Sequence, residues 1–409
     1  MTKSIFKKLF CIGFLGVLGS CATYAPQFKS EEGPIQKSAK DPTHTIFLAG
    51  GFGNQSDNYS GKTGALLKAH MEKASEKSTL IFTGDNISGE EGNWQTDKSL
   101  IDQQLTFSKN FKGETYFIPG NNEWKSFKTD KIERVEEYLD DLDLENLKFY
   151  PKNVCPIEHK VINDDLDIIF VDSKWFISNW SRIKDMNKKC TDIVTRRRFI
   201  EELEGYINDA QGKNIIITMH HPIFSNGTYA GKQTLKSNLL PLPILGTIRN
   251  GVMNLGAFSP DLLNSRRYNF LRIMVSSLAK ASDRITIVSG HEESLQYLSG
   301  GKINQVISGS LNDFTATKRS EDRINTIGGS LEYEGNFTYG KRGFAKIDYF
   351  EDGSSTVTFI SEDDEQFQFA LLPKLKSEKA TKNYPVTASK TESDAVLDDK
   401  DALHKSGFY

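Results

Sequence analysis

Short apolar runs of the strand type recur along the chain, and most of them alternate with longer stretches of helical periodicity. This alternation is typical of an α/β fold, in which helices cover a sheet. The strand candidates are TIFLA (45–49), TLIFT (79–83), TYFIP (115–119), DIIFVD (167–172), NIIITM (214–219), ITIVS (285–289) and NQVIS (304–308). The helical candidates are residues 62–77, 97–110, 130–141, 192–210 and 260–282. Residues 343–361 are a predicted hairpin with Asp352-Gly353 as its turn.

These patterns divide the chain into four parts. Residues 1–20 are a cationic and apolar leader, and residues 21–43 are polar and aperiodic, as in a tether. Residues 44–372 carry the α/β pattern, whereas residues 373–409 have few large apolar side chains. We therefore predict one large domain at 44–372, between a tether and a polar, mobile tail.

The leader resembles a bacterial lipoprotein signal peptide. Its apolar run at 9–19 is too short to span a bilayer, and small residues lead from it directly into Cys21. In a lipobox of this kind, signal peptidase cuts before the cysteine and the thiol is lipidated. Several acyl chains would anchor Cys21 stably at a membrane. Ala22 follows where an aspartate would retain the protein in the inner membrane, so the outer membrane is favoured, with either leaflet open. The alternative is an ordinary secretory signal with a chance cysteine.

The charge of the chain excludes one class of partner. Its 51 Lys and Arg residues stand against 54 Asp and Glu residues, and removal of Lys3, Lys7 and Lys8 with the leader leaves 48 against 54. The exported chain would be mildly acidic and would offer no electrostatic footprint for nucleic acid. Its 37% of hydrophobic residues are enough for a packed core.

Two cysteines remain in the exported chain besides Cys21. In an oxidising compartment, an isolated pair such as Cys155 and Cys190 is most simply a disulfide. The alternative is two unconnected thiols.

Five strand candidates run directly into loops rich in Gly, Asn, Asp or His. These loops are LAGGFGN (48–54), TGDNIS (83–88), PGNNEW (119–124), MHHPIFSNG (219–227) and SGHEESLQ (289–296). Because ligands bind beyond the carboxyl ends of strands in open α/β sheets, we expect the loops to converge on one site. Asp85, Asn121, His220 and His291 would offer that site oxygen and imidazole ligands, a set that suits Zn²⁺, Mn²⁺ or Fe²⁺. His221 is a third histidine in these loops.

The order and spacing of the loops resemble the calcineurin-like metallophosphoesterase superfamily. Its blocks run GDxG or DxH, GDN, GNHE or GNHD, an HHP-type histidine and GHxH, and the resemblance covers residues 45–361. It implies a four-layered αββα sandwich with two metals between the sheets. SNGTYAGK (225–232) and LPLPILG (240–246) are similar to an envelope subgroup from Bacteroidota, in which some members are fused to an outer-membrane assembly barrel.

The resemblance implies a degenerate site, because four positions are changed. Gly51 stands where the superfamily has an aspartate that ligates the first metal, and Glu293 stands where it has the second histidine of GHxH. Asn122 replaces the histidine that contacts the phosphate, and Tyr229 replaces a histidine of the subgroup. Each lost electrostatic group typically costs about 10²–10³ in rate, so hydrolysis at superfamily levels is not expected.

The positions of the second metal are intact. They are occupied by Asp85, Asn121, His220 and His291. The resemblance therefore implies one divalent Zn, Mn or Fe ion, or an empty site. Glu293 could support a weak first site, since a carboxylate is an acceptable ligand for Mn²⁺ or Mg²⁺.

Three functions are compatible with these features. We expect an outer-membrane lipoprotein that acts as a binding or scaffold subunit, with an assembly-type barrel and its lipoproteins as partners by analogy with the subgroup. One alternative is an active envelope metallophosphoesterase that uses one metal or a Glu293-supported pair. Another is a domain that binds a phosphate-bearing or glycan ligand without cleaving it.

Overall fold

The computed structural model of the chain describes residues 21–29, 41–53, 61–90, 93–125, 128–183, 186–239, 250–252, 255–256 and 259–374. The predicted signal peptide at 1–20 lies outside the described residues, as does all but the beginning of the predicted tail at 373–409. Among the described residues, no helix is long and apolar enough to cross a membrane.

The described segments form sixteen strands and seven α-helices. The strands are β1 (Gln27–Phe28), β2 (His44–Ala49), β3 (Ser78–Phe82), β4 (Glu114–Phe117), β5 (Leu147–Phe149), β6 (Ile157–Asn163), β7 (Leu166–Val171), β8 (Asn214–Met219), β9 (Ile285–Ser289), β10 (Leu295–Gly300), β11 (Ile303–Ser308), β12 (Glu321–Thr326), β13 (Gly329–Tyr339), β14 (Gly343–Tyr349), β15 (Ser355–Ser361) and β16 (Gln366–Leu372). The helices are α1 (Lys62–Lys73), α2 (Trp94–Ser108), α3 (Asp130–Asp141), α4 (Ser173–Ile177), α5 (Arg196–Asp209), α6 (Leu235–Leu239) and α7 (Arg266–Leu278).

The strands form two mixed sheets. In the first sheet the order is β16-β15-β14-β2-β3-β4-β5, and β2 to β5 are parallel. In the second sheet the order is β1-β13-β10-β11-β9-β8-β7-β6, with β12 paired to β13. Its strands β7, β8, β9 and β11 are parallel. The seven strands predicted from apolar runs are seven of the eight parallel ones, β5 being the exception, and the predicted hairpin is β14 and β15.

Alternate residues of the central strands face two different cores. Ile46 and Leu48 of β2 lie in an apolar cluster with Phe170 of the other sheet, whereas Phe47 lies in a cluster with Leu67 of α1. Burial on both faces explains why these strands are continuous apolar runs. The predicted four-layered αββα sandwich is confirmed.

One helix begins later than predicted. The predicted stretch at 260–282 contains α7, which starts at Arg266 with Ser265 before it. The Ser259 hydroxyl accepts the N–H of Asp261, two residues on, at 3.2 Å. That contact closes a turn rather than a helix, and the predicted start at 260 is wrong.

The described part of the predicted tether contacts the domain along its length. Residues 21–29, which we call the anchor segment, run along the second sheet. Ala22 is buried, and its N–H donates to the Gln233 carbonyl oxygen at 3.1 Å. Thr23 pairs with Thr317, and β1 pairs with β13. The anchor segment is therefore attached to the domain surface and does not extend from it.

Cys155 and Cys190 are joined by a disulfide, as predicted, so the alternative of two unconnected thiols is wrong. The bond links the segment between β5 and β6 to the loop before α5. Cys190 is buried and packs in the apolar core that contains the helices.

Replacement of both cysteines by alanine should lower the free energy of unfolding by about 3–4 kcal/mol, because the bond restricts the unfolded chain across a long loop. Denaturant unfolding followed by circular dichroism measures the change. Wild-type protein under reducing agent is the control and should unfold at the midpoint of the double variant. Equal midpoints for the oxidised wild type and the double variant would show that the bond contributes no stability.

Candidate metal centre

The site loops meet where the carboxyl ends of the parallel strands of both sheets come together. The sheets are linked there by a hydrogen bond from Nδ1 of His220, after β8, to the carbonyl oxygen of Thr83, after β3, at 2.8 Å. A Cβ atom on Gly84 would lie 2.6 Å from His220 Nδ1, and one on Gly120 would lie 2.3 Å from the Asp85 nitrogen. Glycine at these two positions is therefore what allows the loops to approach each other.

Asp85 is buried at this junction and has a left-handed backbone, with φ 54°. Its Oδ1 accepts the N–H of Asn122 at 2.8 Å, and its Oδ2 lies 3.5 Å from His220 Nε2, an ion-pair contact too long for a good hydrogen bond. Burial opposes ionisation of Asp85, but the neighbouring His220 and the Asn122 N–H outweigh it and hold the pKa below its usual range. A left-handed backbone at a residue other than glycine or asparagine is often found at functional sites.

Backbone carbonyls orient both candidate histidine ligands. His220 donates from Nδ1, as described above, so its Nε2 faces Asp85. His291 donates from Nε2 to the Asp261 carbonyl oxygen at 3.0 Å. Its Nδ1 therefore carries the lone pair, and it lies 3.2 Å from the Asn121 amide nitrogen. Carbonyl partners of this kind fix the tautomers of histidines that ligate metals.

Two buried atoms of the predicted ligands have no hydrogen-bond partner among the described residues. They are Asn121 Oδ1 and His220 Nε2. Buried polar atoms are normally paired, and both of these are atoms that ligate divalent cations. With Asp85 Oδ2 and His291 Nδ1 they form a set of two oxygens and two nitrogens, which we call the candidate set. The candidate set has the donor chemistry of a Zn²⁺, Mn²⁺ or Fe²⁺ site, and an ion bound there would act as a Lewis acid.

The side chains of the candidate set do not form a ready metal site. Within the part of the chain that the structure describes, no group of three or more His, Cys, Asp and Glu side chains is arranged to hold a metal ion. Asp85, His220, His291 and Asn121 therefore supply suitable donor atoms, and binding of an ion would require them to move closer together.

The position of the first-metal aspartate has no ligand and no room for one. Gly51 has φ 73°, and a Cβ atom there would lie 2.3 Å from the Gly309 carbonyl oxygen. Gly53 also has no room for a side chain, since a Cβ atom added there would lie 1.9 Å from the Ile87 carbonyl oxygen. An aspartate at position 51 would require the loop after β11 to move.

Asn122 makes structural contacts where the superfamily has a phosphate-contacting histidine. The residue is 2% exposed, and its Nδ2 donates to the Ile87 carbonyl oxygen at 2.8 Å. Its backbone N–H holds Asp85. The side-chain amide is thus directed at the backbone.

Tyr229 covers His291. The centroids of the two rings are 4.0 Å apart, with an angle of 33° between their planes. Burial, followed by the nearby carboxylates of Glu293 and Asp85, raises the pKa of the Tyr229 phenol. A neutral ring therefore shields this part of the site.

Buried carboxylates brace the site loops, and the sequence analysis missed them. Glu123 accepts the N–H groups of Gly120 at 2.7 Å and Asn86 at 2.8 Å, which ties the loop after β4 to the loop after β3. Glu292 and Asp172 accept hydrogen bonds from neighbouring loops in the same way. Burial raises the pKa of each of these three acids to about 7. The one signal in the sequence is an acid directly beside a predicted ligand, and it marks Glu292 alone.

Asp261 was missed as well. Its carbonyl oxygen accepts from His291, and its carboxylate contacts Lys174 and lies 3.4 Å from His221 Nε2. Ser173 lies 2.8 Å from His221 Nδ1 and accepts the His221 N–H at 3.1 Å. Ser173 and His221 are fully buried, so this Ser–His–Asp arrangement is a brace behind the candidate set and not an exposed nucleophile.

No protein-family profile and no curated protein matches the sequence. Solved structures do match the fold. GAP50, described as the anchor in the inner membrane complex of Plasmodium, gives a TM-score of 0.54 at 13% identity, over 83% of this chain and 91% of that chain. A purple acid phosphatase from yellow lupin (Lupinus luteus) seeds gives 0.49 at 12% identity, over 81% and 54%. A dimetal phosphatase from Danio rerio gives 0.45 at 10% identity, over 81% and 99%. At such identities a likeness shows the fold alone, and the chain has a two-sheet α/β sandwich similar to that of GAP50.

The candidate set predicts a single ion site. Dialysis against Zn²⁺ or Mn²⁺ followed by elemental analysis should give about one ion per chain. His291→Ala should remove it, because this change deletes one of two imidazole ligands. His159→Ala is the control, since His159 pairs with Asp167 on β7 outside the site loops and its loss should leave the ion in place. Two tightly held ions, or an unchanged content in His291→Ala, would contradict the assignment.

Gly51→Asp should destabilise the protein without adding an ion. The matched control is Gly61→Asp, because Gly61 has a similar φ of 69° but no described atom within 4 Å of its Cβ position. Gly61→Asp should cost about 1 kcal/mol for the left-handed backbone. Gly51→Asp should cost about 1–3 kcal/mol more, for the clash with Gly309. Denaturant midpoints and metal analysis measure both effects. A stable Gly51→Asp protein with two ions would show that position 51 does have room for a ligand side chain.

Proposed function

We propose that this protein is a membrane-anchored binding or scaffold subunit whose metallophosphoesterase-like domain does not hydrolyse phosphate esters. The observation that carries the proposal is the closure at Gly51, where a Cβ atom would lie 2.3 Å from the Gly309 carbonyl oxygen. Two-metal hydrolysis uses an ion pair to generate hydroxide and to hold both oxygens of an in-line displacement. Without a ligand side chain at position 51, the second ion that both tasks need lacks one of its ligands.

The contacts of Asn122 support the same proposal. Its amide donates to the Ile87 carbonyl oxygen and it has no titratable proton, so it supplies no general acid for a leaving group. The loss is confined to these positions, because the strands that flank the loops are fully buried and well paired. Because the fold is retained while catalytic positions are lost, the role of the domain is binding through its surface.

The anchor and the partner come from the sequence. Lipidation of Cys21 would place the domain at the outer membrane, in either leaflet. The resemblance to the Bacteroidota envelope subgroup supports an assembly-type barrel and its lipoproteins as partners. GAP50 is described as an anchor in a membrane complex, and its fold is similar to that of this chain, which supports the proposal by fold-level analogy only.

A second candidate function is an active envelope metallophosphoesterase that uses one ion or a Glu293-supported pair. The observation that favours it is the candidate set, in which Asn121 Oδ1 and His220 Nε2 are buried and lack hydrogen-bond partners among the described residues. A single Lewis acid retains part of the charge stabilisation of a two-ion site. Turnover of a phosphate ester separates the two functions.

Affinity purification from detergent-solubilised outer membrane should recover a barrel protein in a near-stoichiometric complex, because association is the proposed role. The purified complex should show no turnover of an aryl phosphate ester with Mn²⁺ or Zn²⁺ added, since only one ion position is available. Asp85→Asn should recover the same partner at the wild-type yield, because association does not use the ion.

The contrary result is a protein that purifies alone in mild detergent and hydrolyses the ester. Asp85→Asn and His220→Ala would then abolish turnover, and His159→Ala would keep it. That pattern would replace the scaffold with the phosphoesterase.

A further inference from the structure

We propose that the anchor segment is a rigid strap that holds the site face of the domain against the surface of a phospholipid bilayer. The site face is the surface formed by the loops at the carboxyl ends of the parallel strands, and it includes residues 227–233 and 311–318. The inference extends the proposed function, since it rests on an anchor at Cys21. It adds the orientation of the domain, which a flexible tether would leave undefined.

Hydrogen bonds at both ends fix the anchor segment to the domain. Near its start, Thr23 and Thr317 exchange two backbone hydrogen bonds, of 2.8 and 2.9 Å. Near its end, Lys29 donates its N–H to the Asn336 carbonyl oxygen at 2.9 Å. Between them, Gln27 donates from its side chain to the Thr317 carbonyl oxygen at 3.0 Å. A segment bonded at each end is part of the domain, not a tether.

The attachment point lies beside the loop that covers the candidate set. Ala22, the residue after Cys21, donates its N–H to Gln233, and the Gln233 side chain donates to the Thr228 carbonyl oxygen at 3.4 Å. The next residue, Tyr229, lies on the ring of His291. A lipid on Cys21 would therefore enter the bilayer next to residues 227–233.

Two exposed apolar side chains lie on the same face. Tyr24 of the anchor segment is 52% exposed and packs edge-on against Phe314, with ring centroids 5.6 Å apart. Leu255 is 77% exposed. Its neighbour Gly256 packs closely against Ser265, and the adjacent Leu263 donates its N–H to the carbonyl oxygen of Tyr229. Tyrosine and leucine are side chains that a membrane interface accepts.

The site face also carries basic residues, although the exported chain is acidic overall. Lys318 donates its N–H to the Asn226 carbonyl oxygen, and Arg319 donates its N–H to the Gln27 side chain, so both adjoin the anchor segment or the loop that covers His291. Lys232 lies in the same loop as Tyr229. Lysine and arginine near a membrane favour anionic headgroups. Asp313 and Glu293 lie there too, so the charge of the face is mixed. The occupant that fits a lipidated face with exposed apolar side chains is a bilayer surface.

The test attaches the lipid chemically, so that it does not depend on lipidation in cells or on any partner protein. In a chain that begins at Cys21, the other two cysteines form the disulfide, and Cys21 is the cysteine outside it. It can be coupled to a maleimide lipid in vesicles of phosphatidylcholine and phosphatidylglycerol. Tyr24→Trp and Leu255→Trp report on the site face, and Val161→Trp is the matched control. Val161 is 56% exposed and lies opposite the first residues of β7, at the other end of the sheet.

The chain has four native tryptophans, so the signal of each added tryptophan is the fluorescence of the variant minus that of the wild type. The measurement is the loss of this added signal when brominated phosphatidylcholine is present. We expect loss of the added signal at positions 24 and 255 and none at 161. Equal quenching at all three positions, or no quenching at 24 and 255, overturns the proposal. An absence of quenching at positions 24 and 255 is also the result expected if the natural occupant of this face is a protein and not lipid.

A linker variant tests whether the strap sets the orientation. Ten Gly and Ser residues inserted between Cys21 and Ala22 leave every contact of the anchor segment in place but add a reach of about 18 Å to the lipid. We expect the difference between positions 24 and 161 to disappear. A difference that persists in the linker variant overturns the assignment of orientation to the strap. Neither result alters the test of hydrolysis and association above.

Discussion

The hydrogen bond from His220 Nδ1 to the Thr83 carbonyl oxygen joins the two sheets, and the candidate site depends on it. It connects the end of β8 in one sheet to the end of β3 in the other, so the relative position of the sheets fixes the relative position of their loops. The same bond sets the tautomer of His220 and turns its Nε2 toward Asp85. The glycines beside it are required because any larger residue would separate the loops. This one hydrogen bond therefore supports both the packing of the sheets and the geometry of the site.

The parts of the structure that could be predicted from sequence are those with a one-dimensional signal. Seven of the eight parallel strands are apolar runs, because they are buried on both faces, whereas the three-residue β5 has a lysine at its centre and was missed. Antiparallel strands nearer the edges were missed, such as β12 and β16, because their exposed faces interrupt the run with polar residues. The short β1 was assigned to a tether, because two residues that pair with a distant strand leave no periodic pattern. The four members of the candidate set could be located by their place after strands. Glu123, Asp172 and Asp261 could not, because their roles are defined by backbone N–H groups, side chains and loops that only the folded chain brings near.

The predicted ligands of one metal are present and a predicted ligand of the other is lost, and the functional proposal rests on this difference. On one side, Asp85, Asn121, His220 and His291 retain their donor atoms, and carbonyls or N–H groups hold three of them in place. On the other side, Gly51 has been closed by the Gly309 carbonyl oxygen. Loss of a ligand alone would leave a space that water or Glu293 could fill. Here the backbone also leaves no room for a side chain at position 51, so we place the role of the domain in its surfaces and its attachment.

The central claim is that the junction holds one ion at most, and electron paramagnetic resonance of protein loaded with excess Mn²⁺ and then freed of unbound ion tests it most directly. The exchange interaction between two neighbouring ions changes the spectrum, so the experiment reports proximity and not only content. We predict the spectrum of an isolated Mn²⁺ ion that disappears in a variant without the Asn121 and His220 ligands. The spectrum of a spin-coupled Mn²⁺ pair would contradict the account, because it would show that the first position can still be occupied.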